Sequence, residues 1–121
     1  MSKLHITLPW PDRKLSPNAR VHWAQKSRAV KQYRAVARML TVSELNKTGD
    51  RPQGDVDIEL AFYRPSRRAM DLDNRIASVK AGLDGVADAL GIDDHKFRLS
   101  AEMMTDTKPG GAVVVTIRGR G

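Results

Sequence analysis

The stretch DVDIELAFY, residues 55–63, gives the clearest secondary-structure signal in the chain and decides the prediction of its fold. Apolar residues occupy every even position from Val56 to Phe62, whereas the odd positions include Asp57 and Glu59. Successive side chains of a strand point to opposite faces of a sheet. The alternation therefore predicts a strand with one buried face and one face toward solvent.

Helical spacing lies on both sides of this strand. Upstream, residues 23–46 predict a helix that ends at Gly49. Downstream, residues 73–90 predict a second helix that ends at Gly91, with apolar residues at three- and four-residue intervals. That apolar stripe consists of Ile76, Val79, Leu83, Val86 and Leu90.

Three further strands are predicted at residues 4–8, 97–105 and 112–118, and the last two are joined by the turn KPGG, residues 108–111. The resulting order, β-α-β-α-β-β, predicts an α+β class with a small mixed sheet packed by two helices. Neither a linker nor a repeat is visible, so residues 1–121 are predicted to form one domain.

The aromatic residues mostly indicate structure. Trp23, Tyr33, Phe62 and Phe97 fit core positions at helix or strand spacing. Trp10 stands between two prolines, and its position fits a core residue, a dimer contact or a wedge at a DNA junction.

The chain is strongly basic. Its 121 residues include 21 Lys plus Arg against 14 Asp plus Glu, which gives a formal net charge of +7 and favours a nucleic-acid partner. The lack of cysteine excludes disulfides and thiolate zinc sites. No stretch approaches the ~20 apolar residues of a membrane span, and the first residues lack the apolar run of a signal peptide. We therefore expect a cytoplasmic protein with no membrane partner.

Carboxylates gather at the two ends of the second predicted helix. Asp71 and Asp73 flank its start, and Asp93 and Asp94 follow its end. If these side chains converge, Mg²⁺ is the cation that suits them, because it prefers carboxylate and phosphate oxygens. A helix of this length spans roughly 25 Å. The two pairs therefore meet only if the chain after Gly91 doubles back or a second subunit supplies one pair.

Each of these residues also has an ordinary structural interpretation. Asp73 suits a helix N-cap, and Asp71 suits a loop residue that pairs with a nearby arginine. The second acidic pair fits a turn after a helix-ending glycine. Lys80 fits an ion pair with Asp84 at i+4 spacing, whereas its functional interpretation is a cation directed at a scissile phosphate.

Basic residues indicate where a phosphate backbone would bind. Arg67 and Arg68 precede the first acidic pair, and Lys31, Arg34 and Arg38 share one face of the first helix. A solvated charged surface is the alternative interpretation of that face. No motif that reads base sequence is visible, which suits an enzyme that recognises the shape of DNA.

Three motifs resemble those of the RusA family of Holliday junction resolvases. They are RRAMDLDN at residues 67–74, KAGLDG at residues 80–85 and GIDD at residues 91–94. The opening ITLPWP, residues 6–11, is similar to the first strand of that family. The resemblance covers nearly the whole chain, and DLDN combined with the later DD is more specific than either motif alone.

The resemblance implies a Mg²⁺-dependent, structure-selective endonuclease that resolves four-way (Holliday) DNA junctions by paired symmetric nicks in recombination and repair. Mn²⁺ is expected to substitute for Mg²⁺. Members of the family are small dimeric enzymes of bacteria and their phages. The resemblance therefore also implies a C2 homodimer, branched DNA as the partner, association with the bacterial chromosome and no small-molecule cofactor.

Site residues follow from the same resemblance. The implied catalytic residues are Asp71, Asp73, Asp94 and Lys80, and the implied metal ligands are the same three aspartates together with Asp93. Asn74 is assigned to DNA contact with the basic residues named above. The family's essential lysine usually lies one turn after the Asn, where this chain has Ala77. The match to Lys80 therefore requires an insertion of nearly one helical turn.

Three other functions use the same residues. The first is a non-catalytic basic DNA-binding protein, whose aspartates only cap helices and turns. The second is a nuclease selective for flaps or forks in preference to four-way junctions. The third, a Mg²⁺-dependent hydrolase of a small phosphate, would need a closed pocket for a base, and no aromatic or glycine-rich loop suited to one is visible in the sequence.

Overall fold

The strand predicted at residues 55–63 is the central part of a four-stranded mixed sheet. The computed structural model describes residues 3–119. The first two and the last two residues of the predicted 1–121 domain lie outside the described residues. The strands are β1 (Lys3–Pro9), β2 (Val56–Tyr63), β3 (Phe97–Met103) and β4 (Ala112–Gly119). The helices are α1 (Trp23–Thr48), α2 (Leu72–Ser78) and α3 (Lys80–Leu90), with short 3₁₀ helices at Arg13–Leu15 and Asp94–Lys96. The predicted α+β class is confirmed.

The strand order is β1-β4-β2-β3. β4 pairs antiparallel with both β1 and β2, whereas β2 and β3 pair in parallel, with Val56 opposite Phe97. A parallel pair needs a crossover connection, and α2 and α3 provide it. Consequently α2 begins beyond the carboxyl end of β2. The segment before β3 lies at the other end of these two strands.

One face of the sheet carries the core. The alternating residues Leu4, Ile6 and Leu8 of β1 are buried on this face, as are the even positions of β2 and the odd positions 113–117 of β4. α1 and α3 cover this face. Thr41, which is fully buried in α1, donates its hydroxyl to the Ala37 carbonyl oxygen at 2.7 Å, so its polar group costs little.

The second predicted helix is divided at Val79, which separates α2 from α3. Two residues explain the division. Ser78 is buried and donates its hydroxyl to the Asn74 carbonyl oxygen at 2.7 Å, a bond that bends helices. Val79 itself is fully buried with φ −94° and ψ 2°, outside ordinary helical geometry. Packing of the Val79 side chain thus takes precedence over a straight helix.

Trp23 is the aromatic residue for which the core prediction is wrong, because its side chain is 76% exposed. Phe62 and Tyr33 are buried as predicted, and Phe97 packs partly against the core. α1 has 26 residues and β2 has 8. At 1.5 Å per helical residue and 3.3 Å per strand residue, the helix is roughly 39 Å long against about 26 Å for the strand. The helix is therefore longer than the strand, and Trp23, in its first turn, is exposed.

α1 and α3 approach each other closely at Gly85. A Cβ placed there would collide with the Arg34 carbonyl oxygen and lie 3.0 Å from the Ala37 Cβ. Beside this contact, the Arg34 guanidinium binds both carboxylate oxygens of Asp88 at 2.7 and 2.8 Å. Only a glycine therefore allows the two helices to reach this separation.

Among residues 3–119, no helix combines the length and apolar character needed to cross a bilayer.

Substitution Gly85→Ala is expected to lower the free energy of unfolding by about 1 to 3 kcal/mol, because the added methyl group forces the backbones of α1 and α3 apart. Urea denaturation measures the change. Gly91→Ala is the control: Gly91 has φ +67° but no neighbour within 4 Å of an added Cβ, so the cost is limited to backbone strain of about 1 kcal/mol. A Gly85→Ala protein as stable as the wild type would contradict the close approach.

The Arg34 hydrogen bond holds the pKa of Asp88 below its ordinary value of 3.8. A lowered folded-state pKa stabilises the protein above the unfolded pKa, and this contribution disappears as the pH falls through the folded pKa. Asp88→Asn is therefore expected to reduce stability slightly at neutral pH, and this deficit should shrink as the pH falls below 3.8 and through the lowered pKa of the folded state. Chemical denaturation at several pH values tests this, with the exposed loop substitution Asp106→Asn as control. A deficit of Asp88→Asn that does not depend on pH would refute the pairing.

Candidate functional site

The start of α2 presents two exposed carboxylates. Asp71 is the N-cap, and its Oδ1 accepts a hydrogen bond from the Asn74 backbone N–H at 3.2 Å. Asp73 lies in the first helical turn. The capping role that the sequence suggested for Asp73 therefore belongs to Asp71, because the helix begins one residue earlier than predicted. The cap uses Oδ1 of Asp71 and leaves the Asp73 carboxylate facing solvent.

The second acidic pair lies in a tight turn after α3. Gly91 takes the left-handed conformation, and Asp93 caps the following 3₁₀ helix. The Asp93 Oδ1 lies 3.2 Å from the His95 backbone nitrogen and 2.9 Å from its Nδ1. Both contacts lower the pKa of Asp93, and the contact with the His95 side chain has the larger effect. The structure thus bears out the turn interpretation of this segment.

Lys80 and Asp94 come together because the chain after Gly91 turns back along α3. The Lys80 Nζ lies 3.7 Å from the Asp94 Oδ2 and 3.9 Å from the Asp84 Oδ1. The i+4 ion pair with Asp84 is therefore present, and two of the residues implied by the RusA resemblance are neighbours. Both distances are long and the Lys80 side chain is 70% exposed, so these pairs are weak and the ammonium group can reach other partners.

The two acidic pairs do not converge within one protomer. Throughout residues 3–119, no three Asp, Glu or His side chains are grouped so that they could hold a metal ion. The crossover runs from the end of β2 to the start of β3, with one pair at the start of α2 and the other after the end of α3. The chain doubles back far enough for Asp94 to reach Lys80, but Asp71 and Asp73 join no such group. Supply of one pair by a second subunit stays a prediction.

The donor set at the start of α2 fits Mg²⁺ in one specific way. Mg²⁺ usually keeps several waters and binds one or two carboxylates together with substrate phosphates. Asp71 and Asp73 supply two such carboxylates on an exposed surface. They fit a hydrated Mg²⁺ ion whose remaining ligands include a phosphate oxygen. Among the described residues of this protomer, the four aspartates together form no closed metal site.

The predicted DNA-binding residues differ in whether their charged groups already form an ion pair within the protein. Lys31, Arg38, Arg67 and Arg68 are exposed, the last two in the loop between β2 and α2. Arg34 is paired with Asp88 at 2.7 Å, although its side chain is 49% exposed, and its assignment to DNA contact stays a prediction. The pairing follows from the spacing of α1 and α3, which the sequence of α1 alone does not contain.

Asn74 contributes backbone contacts to α2. Its N–H is bound by Asp71 and its carbonyl oxygen by Ser78. These contacts fix the first turn of the helix on which both aspartates are held. The side chain of Asn74 is half-buried, and its assignment to DNA contact stays a prediction.

Three cationic residues that the sequence analysis left unassigned gather beyond the end of β2. Arg64 and Arg75 each bury a guanidinium Nε that has no hydrogen-bond partner in the described part of the chain. The Arg75 guanidinium lies 6.0 Å from the centre of the Trp10 ring. The Lys108 Nζ lies 4.3 Å from the centre of the Tyr63 ring, and its backbone N–H donates to the Arg64 carbonyl oxygen.

We call Arg64, Arg75 and Lys108 the basic cluster. In the sequence, Arg75 directly follows the DLDN motif, and this position is a signal from which its place in the basic cluster could have been predicted. The partners of the cluster come from distant parts of the chain, and no local pattern reveals them.

No protein-family model matches the chain. The chain is 44% identical over 115 residues to an uncharacterized protein of Xylella fastidiosa (strain Temecula1 / ATCC 700964). The matched region covers 94% of this chain and 75% of the Xylella protein. At this identity and coverage, the chain belongs to the same family as that uncharacterized protein.

Proposed function

We propose that the protein is a Mg²⁺-dependent endonuclease that nicks branched DNA, with four-way junctions as its leading substrate. The observation that carries the proposal is the exposed carboxylate pair Asp71 and Asp73 beside a strongly cationic surface. The DLDN and DD motifs, which resemble those of the RusA family, give further support.

Electrostatics explains why this combination suits a phosphodiester substrate. A phosphate backbone is attracted by the net charge of +7, and the arginines around α2 hold it in place. Two carboxylates at the same position would repel that backbone unless a cation lies between them. Mg²⁺ removes the conflict because it binds carboxylate and phosphate oxygens together.

The residues divide the work as follows. Asp71 and Asp73 would hold the metal, which when bound supplies a Lewis acid and an activated water. Arg67 and Arg68 would hold the phosphate backbone beside α2, with the basic cluster behind them. Lys80, on its flexible stem, would bring positive charge to the phosphate as negative charge develops on it.

A C2 homodimer would complete this arrangement. A four-way junction offers two equivalent strands, and a two-fold dimer offers two equivalent sites for paired nicks. The second subunit is also a source from which Asp93 and Asp94 can approach the first acidic pair. The corresponding cellular role is recombination and repair in the bacterial cytoplasm, in association with the chromosome.

A non-catalytic DNA-binding protein is the second candidate, and specific contacts favour it. Asp71 and Asp93 both cap helices, and Lys80 pairs with Asp84 and Asp94. Under this alternative Asp71, Asp93 and Asp94 have structural roles, Asp73 is a solvated residue of the first helical turn, and none of them meets a metal. A panel of four-way, flap and fork substrates separates the two functions and also ranks the branched structures.

With Mg²⁺ or Mn²⁺, the protein is expected to introduce paired nicks into a labelled mobile four-way junction and to leave linear duplex intact. Asp73→Asn is expected to reduce cleavage by at least about a hundredfold while junction binding in Ca²⁺ is retained, because the exposed Asp73 carboxylate makes no contact that folding needs. Asp106→Asn is the matched control. Binding without cleavage in either metal would favour the non-catalytic candidate.

Lys31→Ala and Arg34→Ala remove one positive charge each from the same face of α1, yet they are expected to differ. Lys31 is exposed, so its loss should reduce the salt dependence of junction binding by about one unit in the slope of log K against log salt. Arg34 is held by Asp88, so its loss should reduce the slope less. Junction affinity measured over a series of NaCl concentrations tests this, and equal slopes for the two variants would contradict it.

A further inference from the structure

A cavity of about 420 Å³ lies between the β1–α1 connection and the first half of α1. Its volume is in the range of pockets that bind small organic groups. The residues that matter for its chemistry are Trp10, Lys14, Gln25, Arg28, Gln32 and Tyr33. We propose that this cavity binds one unpaired nucleotide of branched DNA, with the base against Trp10 and the phosphate near Lys14 and Arg28. The inference rests on the proposed function.

Trp10 is a rigid wall of the cavity. A Cβ at Gly111 would lie 2.8 Å from the Trp10 Cδ2, so the indole packs tightly against that backbone. Phe62 meets the indole edge-on, with ring centres 6.2 Å apart. An aromatic ring fixed in this way offers a stacking surface without loss of side-chain entropy, and a nucleobase of any sequence can stack on it.

Tyr33 fixes a second part of the wall. Its hydroxyl donates a hydrogen bond to the Pro9 carbonyl oxygen at 2.7 Å, which ties α1 to the end of β1 directly before Trp10. Burial raises the pKa of Tyr33, so the hydroxyl remains a donor at every physiological pH. The cavity therefore exists before a ligand arrives.

The polar groups of the cavity match a nucleotide. Gln25 and Gln32 lie two helical turns apart on α1, and each carboxamide offers both donors and an acceptor for the edge of a base. Lys14 and Arg28 add two positive charges. The Asp12 carboxylate, which also lines the cavity, accepts a hydrogen bond from the Lys14 backbone N–H at 2.8 Å, so it is engaged in a cap.

The position of the cavity connects it to the candidate active site. Trp10 lines the cavity and also lies 6.0 Å from the Arg75 guanidinium, in the helix that begins with Asp71 and Asp73. Bases inside a duplex are stacked and cannot enter a pocket, whereas a nucleotide at a branch point is already unpaired or costs little to unstack. The cavity would thus favour branched over linear DNA. The sequence had given no sign of a base pocket, because its walls come from the loop after β1 and from α1.

The test uses tryptophan fluorescence in a Trp23→Phe background, so that Trp10 is the only indole. Three probes are titrated in Ca²⁺: a four-way junction with one unpaired thymidine at the branch point, a linear duplex of equal length, and thymidine 5′-monophosphate. The junction is expected to quench Trp10 more strongly than the duplex does. Gln32→Ala and Gln25→Ala should weaken junction binding about fivefold to tenfold, while Gln53→Ala, an exposed glutamine outside the cavity, should leave it unchanged.

Three other outcomes would each overturn the inference, and they can be told apart by what they leave of the proposed nuclease. Junction binding and cleavage that are unaffected by both cavity substitutions, without quenching of Trp10, would remove the pocket and leave the nuclease intact. Quenching by the mononucleotide but not by the junction would assign the cavity to a free nucleotide. A wild-type protein that binds no DNA at all would remove the proposed function together with the inference.

Discussion

The parallel pairing of β2 with β3 is the constraint on which the rest of the structure depends. It requires a connection that returns across the sheet, and α2 and α3 form that connection. The helices bury their apolar stripe on the sheet and against α1, where Gly85 allows the closest approach. The same pairing places the start of α2 beyond the end of β2, and the turn after α3 brings Asp94 back to Lys80. Among residues 3–119, the two acidic pairs that the sequence suggested as one site form no group that could hold a metal ion.

Much of the fold could be predicted from the sequence because its signals are local. The alternation in β2 and the helical spacing of α1 depend only on neighbouring residues, and both are confirmed. The exposure of Trp23 and the division at Val79 depend on where the sheet ends and on which side chain is buried, so no local pattern contains them. Whether the aspartates group within one protomer is likewise set by the course of the chain and not by the spacing of residues, and among residues 3–119 they form no metal-holding group.

The candidate site is defined by which charges are already paired. Arg34 looked equivalent to Lys31 in the sequence, but the approach of α3 gives it Asp88 as a partner. Arg64 and Arg75 were not assigned a role from the sequence, yet the fold buries the Nε of each guanidinium, while another Arg64 nitrogen donates to the Arg68 carbonyl oxygen. Charges that lack a protein partner are the ones a phosphate backbone can bind. The expected DNA contacts therefore include the exposed Lys31 and Arg38 on α1 as well as Arg67 and Arg68 before α2.

The central claim is that a divalent metal binds at the start of α2. Paramagnetic broadening of backbone amide signals by Mn²⁺, recorded on the isotope-labelled protein with a cleavage-resistant four-way junction bound, tests it most directly. The account predicts that the amides of residues 71–75 lose intensity first and that Asp71→Asn combined with Asp73→Asn abolishes this loss. Broadening confined to residues 91–96, or spread evenly over the protein, would contradict the claim.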